Sequence, residues 1–128
     1  MNPAAAGKTY PATTFTVDPQ RVAAFREIFE ESEGVPATFV TVAEFAVMPQ
    51  IVADQELGLD FSHVLHGNQE YEFRRPLQES ETLQVRCRLG SIRALGRNAL
   101  LVLVTELFEP GGEIVCTARS TLIERAAD

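Results

Sequence analysis

The order of elements in this sequence predicts an α+β domain, an antiparallel sheet of about five strands curled around one central helix. Three observations carry that expectation. The stretch PATFVTVAEFAVMPQIVADQELG is long enough for a helix and has apolar residues on nearly every side from Phe39 to Val47, so it needs cover all round. Everything after it reads as strands joined by connections short enough to force antiparallel pairing. With 128 residues, 45% of them hydrophobic, the chain can build one core but not two, and no repeat, low-complexity run or linker divides it. Residues 1–128 are therefore expected to form a single domain.

The elements follow in order. TYPATTFTV, Thr9 to Val17, is rich in Thr, Phe and Val and suits an opening strand. DPQRVAAFREIFEESEG reads as an amphipathic helix: Asp18 caps the free amides, Pro19 fits the first turn, Val22, Phe25, Ile28 and Phe29 recur on one face, and Gly34 terminates it. In the apolar stretch that follows, Val and Thr favour strand but length favours helix, kinked or restarted near Pro49. In FSHVLHGNQEYEFRRP, Phe61 to Pro76, Tyr71 and Phe73 alternate with Glu70, Glu72 and Arg74, the pattern of a half-buried strand ended by proline. ETLQVRCRLGSIRAL alternates Leu83, Val85, Cys87 and Leu89 with polar residues, and NALLVLVTELF is apolar enough for burial on both faces. The turn EPGGE then leads into EIVCTARSTLIER, the last strand.

Eighteen acidic against eleven basic residues give a net charge of −7, which disfavours nonspecific binding to nucleic acid or to an anionic membrane. MNPAAAGKTY has no charged segment followed by an apolar one, and Glu44 and Pro49 interrupt the one long apolar stretch, so a soluble cytoplasmic protein is expected. Cys87 and Cys116 are too few and too far apart for a zinc motif, and each falls in a strand-like run, where a free thiol serves as a small core residue.

Several ordered pieces then resemble one family: an early Gly-x-x-Tyr at Gly7 and Tyr10, the element VPATF, the strand HGNQEYEFRRPL, and SETLQV after it. Together they resemble the MaoC-like dehydratases in their N-terminal-domain form, which have the hot-dog fold; HGNQEYEFRRPL is the most specific piece. The resemblance implies an acyl-thioester protein of fatty-acid metabolism, of the kind that interconverts trans-2-enoyl and (R)-3-hydroxyacyl groups on coenzyme A or acyl carrier protein, with no cofactor beyond the carrier's own phosphopantetheine. The family's catalytic Asp and His lie in an Asp-x-Asn-Pro-x-His segment between the first helix and the VPATF-like element. A base activates water or takes the alpha proton, its partner handles the other proton, and a helix N-terminus polarises the thioester carbonyl. Here only FEESEGVPATF stands there, with no histidine and no Asn-Pro, so the catalytic segment is expected to be missing.

His63 and His66 are the only imidazoles. Either His66 hydrogen-bonds near the start of its strand, or it substitutes as an acid/base together with Asp60 or Glu70. In a regular strand His63 and His66 point to opposite faces and make a poor metal pair, so no metal is expected. Glu27, Glu30, Glu31 and Glu33 cluster at the end of the first helix, where a solvated face explains them. Phe45 and Met48, with Phe39 and Val47, either line an acyl channel along the central helix or are plain core, and Tyr71 joins the candidate substrate contacts. Arg74, Arg75, Arg86, Arg88, Arg93 and Arg97 make a local basic patch opposed only by Glu79 and Glu81. Arg74, Arg75 and Arg97 are the candidate anchors for coenzyme A phosphates, phosphopantetheine or an acidic partner, with structural arginines on an exposed face as the other reading. A curled sheet with a bare edge gains by pairing, so a homodimer, or a heterodimer with another MaoC-like chain, is expected. Three functions remain open: a non-catalytic acyl-thioester-binding partner subunit, a self-sufficient hydratase or hot-dog thioesterase, and a non-enzymatic acyl-CoA binding module.

Overall fold

The computed structural model describes residues 1–29 and 33–126. One antiparallel sheet contains β1 (Thr13–Thr16), β2 (Val64–Phe73), β3 (Thr82–Leu95), β4 (Asn98–Phe108) and β5 (Ile114–Glu124), in the spatial order β1-β3-β4-β5-β2. Its inner face packs on the helix α2 (Val40–Val52), as the sequence predicts for a hot-dog fold.

Strand alternation builds the inner face. Val85, Cys87 and Leu89 of β3 pair with Leu107, Thr105 and Leu103 of β4, and these pair with Cys116, Ala118 and Ser120 of β5. All nine are buried. Phe73, Tyr71 and Gln69 of β2 continue the rows. Each buried aliphatic side chain here contributes about 1.5–3 kcal/mol from apolar area removed from water. The outer face carries Arg86 and Arg88 on β3, Arg119 on β5, and Glu70 and Glu72 on β2. Three irregularities interrupt the ladders, the first between Leu89 and Ile92, the second between His66 and Asn68, the third between Leu107 and Phe108. Gly90 is required at the first, because a Cβ there would stand 2.9 Å from the Val102 carbonyl oxygen.

Cys87 and Cys116 are free and fully buried; burial pushes their thiols up to about 11 and about 12. The Gly-x-x-Tyr element has a structural use: Tyr10 donates a 2.7 Å hydrogen bond to Asp54, just beyond α2, and Lys8 lies 2.8 Å from the same carboxylate oxygen. The two donors, Lys8 foremost, hold the Asp54 carboxyl down at about 2.

The first helix, α1 (Pro19–Ile28), starts as predicted, with Asp18 accepting from the Gln20 amide at 2.9 Å. It ends before Gly34, whose carbonyl accepts from Arg26 and so folds back against the helix flank. Val22 is buried and Phe25 partly so, whereas Ile28 and Phe29 are exposed, which corrects the expected four-residue apolar face. Of the expected glutamate cluster, Glu30 and Glu31 lie outside the described residues. Three further expectations change. The opening strand covers only Thr13–Thr16, with Thr9 making a single bridge to Arg88. Helix α2 runs unbroken through Pro49, because Val47 and Ile51 are packed in the core on either side of the proline. The quoted Phe61 stretch begins as a 3-10 turn, Phe61–His63, whose Asp60 cap accepts from the Ser62 amide, so His63 is not in the strand. No helix among the described residues is long and apolar enough to cross a membrane.

Candidate functional site

Helix α2 is not buried all round. Val40, Ala43, Val47 and Ile51 face the sheet, but Phe45 is 64% exposed, and Thr41 and Met48 are only half-buried beside it. Residues spaced by three and four share a helix face, so Thr41, Phe45 and Met48 form one open stripe. Across from it stand Phe61 of the 3-10 turn, Val64 and His66 at the start of β2 and Leu122 of β5, and the two walls enclose a groove of about 250 Å³. Phe45 and Met48 therefore do line a groove, while Phe39 and Val47 are plain core.

The inner end of the groove is polar. Glu44, one position before Phe45, is only 7% exposed. Its carboxylate accepts from Gln69 Nε2 at 3.2 and 3.3 Å, from the Tyr71 hydroxyl at 3.1 Å, and from the Ser120 hydroxyl at 2.7 Å. Ser120 Oγ also lies 2.6 Å from Gln69 Oε1, so its one hydroxyl proton is shared between two acceptors and Ser120, Gln69 and Glu44 close a ring that Tyr71 joins through the acid. A carboxylate taken out of water is tolerated when its oxygens are hydrogen-bonded in this way. Burial pushes the Tyr71 hydroxyl up to about 12, so it stays a donor across the neutral range. Glu44, Gln69 and Ser120 were not among the residues singled out from sequence, although a lone Glu inside VTVAEFAVM carries the signal: a charge in an otherwise apolar helix must find partners.

The bulge at Gly67 sets the floor. It shifts the register so that His66 pairs with Leu122 and Gln69 with Ser120, which puts both on the inner face. His66 thus faces the groove, but neither predicted carboxylate is near it in the bonding pattern. Asp60 is engaged by His63 Nδ1 at 2.7 Å and by the Ser62 hydroxyl at 2.6 Å, which hold its carboxyl below the usual range, Ser62 most. Glu70 lies on the outer face, where it accepts from Asn68 at 3.2 Å. Among the described residues, no group of three or more His, Cys, Asp or Glu is placed to hold a metal ion.

The arginines sit elsewhere, and none lines the groove. Arg75 reaches Glu81 at 2.7 Å and Glu109 at 2.9 Å, and Arg86 reaches Glu106 at 3.2 Å, so these two act as struts. Arg74 is exposed at the far end of β2, in a separate hollow with Val35, Ala37 and Leu77. Arg97 is in the two-residue turn between β3 and β4. Glu79, expected to oppose this patch, pairs with Arg26 of α1 at 2.9 Å.

A five-stranded antiparallel sheet curled on one helix, with a groove between that helix and an edge strand, defines a hot-dog fold. Superposition agrees. The HadBC (3R-hydroxyacyl-ACP dehydratase) complex of Mycobacterium tuberculosis matches with a TM-score of 0.80 at 18% identity, covering 93% of this chain and 96% of that one. A MaoC-like dehydratase matches with a TM-score of 0.85 at 19% identity, covering 98% of this chain but 43% of that longer one. The model of the FAS1-like dehydratase domain region matches residues 5–118, and the chain belongs to that family. A UPF0336 protein of Streptomyces avermitilis is 31% identical, covering 95% of this chain and 93% of its own. That alignment runs over 140 positions, more than the 128 residues here, so the relative carries residues with no counterpart in this chain.

Proposed function

We propose that this chain is an acyl-thioester-binding, non-catalytic subunit of an (R)-specific enoyl-thioester hydratase or 3-hydroxyacyl dehydratase, acting in the cytoplasm with a second MaoC-like chain that supplies the catalytic Asp and His. One observation carries the reading: an acyl-sized groove opens beside a bare sheet edge, while the one imidazole–carboxylate hydrogen bond among the described residues, His63 with Asp60, lies outside that groove. Strand β2 ends the sheet and bonds only to β5, so its other edge can pair with a partner strand. Phe45, Phe61 and Leu65, all exposed by about half or more, flank that edge with apolar surface. The short run between α1 and α2, which has no histidine and no Asn-Pro, supports the loss of the catalytic segment. The HadBC structure, a complex by its own description, offers a precedent for two such chains working together. The ligand is an acyl group on coenzyme A or acyl carrier protein.

The test is co-purification from the native host, followed by hydration of trans-2-enoyl-CoA by the partner with and without this chain. Recovery of a MaoC-like partner whose turnover rises in the complex is expected; recovery of this chain alone, with no effect on any MaoC-like chain of the host, refutes the reading. A second reading, a self-sufficient hydratase, draws on the bulge that turns His66 into the groove. It requires the isolated chain to consume enoyl-CoA and His66→Ala to abolish that turnover.

A further inference from the structure

Resting on the acyl-groove reading above, we propose that Glu44 is the stop that limits the groove to short acyl chains. The lining divides by depth. The open side carries Phe45 at 64% and Phe61 at 47% exposed with His66 beside them, whereas the buried end carries Glu44 at 7% and Ser120 at 5% exposed next to apolar Leu122 at 6%. Met48, Val64 and Leu122 supply the remaining apolar wall, and Thr41, His66 and Gln69 the rest of the polar one.

A chain methyl that advances to the inner end meets a carboxylate already held by Gln69, Tyr71 and Ser120. Every donor aimed at Glu44 comes from a side chain anchored in the sheet, so the ring cannot swing aside without leaving several buried polar groups unpaired. An apolar tail pressed against it gains no burial and displaces hydrogen bonds, so the favourable path ends where the apolar lining ends. Behind the ring lies packed apolar core. Ala43 and Val47, the helical neighbours of Glu44, are fully buried against apolar core, so Glu44 is a polar plug between groove and core rather than part of a solvated surface. The stop is chemical as well as steric: glutamine preserves it, whereas alanine removes both the bulk and the charge.

The experiment is calorimetric titration of the purified chain with straight-chain saturated acyl-CoA thioesters from butyryl to dodecanoyl. In the wild type, affinity should rise over the shortest chains and then fall at least ten-fold before dodecanoyl. Glu44→Gln should keep that optimum, and Glu44→Ala should move it longer by about two to four carbons, the space of the lost side chain. Wild-type affinity that climbs steadily to dodecanoyl overturns the proposal without any variant being made. An unchanged optimum in folded Glu44→Ala overturns it too, while leaving the acyl groove standing. Absence of binding at every length removes the groove reading itself, and the stop with it.

Discussion

Phe39 is the hinge on which the groove hangs, and Phe39→Ala tests the packing argument directly. The ring is completely buried in the 3-10 turn, Ala37–Phe39, that leads into α2. It meets Phe25 of α1 edge-on at 5.1 Å between ring centroids and Phe15 of β1 at 6.3 Å, so one side chain joins both helices to the sheet. Truncating a buried phenylalanine costs about 3–5 kcal/mol in lost transfer and cavity. Two aromatic pairs add about 0.5–1.5 kcal/mol each beyond burial, which places this site at the upper end, about 4–5 kcal/mol. Domains of this kind have a total of about 5–15 kcal/mol, so the loss is a large fraction, equivalent to a fall in Tm of roughly 12–20 °C. Urea unfolding followed by circular dichroism measures it, with Phe39→Leu expected to lose roughly 1–2 kcal/mol. Because Val22 is the only fully buried residue of α1, amide exchange in that helix should also quicken in the alanine variant. A loss below about 1 kcal/mol, or α1 amides as protected as before, would refute the idea that Phe39 holds the layers together.

Other outcomes follow from single contacts. Gly90→Ala drives a Cβ to 2.9 Å from the Val102 carbonyl oxygen, so the β3 bulge must shift; a destabilisation of about 1–3 kcal/mol in urea is expected, and an unchanged midpoint would show that the bulge has slack. The buried thiols, raised to about 11 and about 12, should resist a chromogenic disulfide reagent at mildly alkaline pH in the native protein and react at once in denaturant; fast native labelling of either would contradict their burial. The Asp54 carboxyl is depressed in the folded state to about 2, so its stabilising share is present above the ordinary carboxylate value and is lost as pH falls from about 4 towards 2. Asp54→Asn keeps an acceptor for Tyr10 but drops the charge that Lys8 meets, and should flatten the stability profile across that window; a profile parallel to wild type would deny Asp54 the role.

The fold was legible because its signals are periodic. The strand from Leu83 and the one ending the chain alternate as written, and the cap at Asp18 and the apolar run of α2 mark both helices. The site was harder to read, for two physical reasons. Alternation counted back from Tyr71 puts Gln69 inward and His66 outward, but the bulge at Gly67 resets the parity and turns His66 inward, and the lone glycine is the one residue type that hints at it. Polar residues that meet across the core lie far apart in the chain: Ser120 and Glu44 are 76 positions apart, and their attraction leaves no local pattern. The arginines misled for the converse reason. Their clustering in sequence is real, but Arg75 and Arg86 are matched by Glu81, Glu109 and Glu106, two of which lie beyond the stretch that suggested a patch.

Helix α2 is made before the sheet that covers it. The ribosome completes Val52 with all of β2 to β5 still unwritten, and β5 is not finished until Glu124. At roughly 5–20 residues per second, the nascent chain carries an apolar helix without its cover for about 4–14 s, and even β1 waits for a partner, since Thr13 pairs with Val85. The polar stripe through Thr41 and Glu44 is thus also what keeps this helix from being greasy on every side during that interval. Synthesis, rather than the finished molecule, is the stage at which this protein is most exposed to aggregation, and the stage at which a chaperone or an early-arriving partner chain has most to offer it.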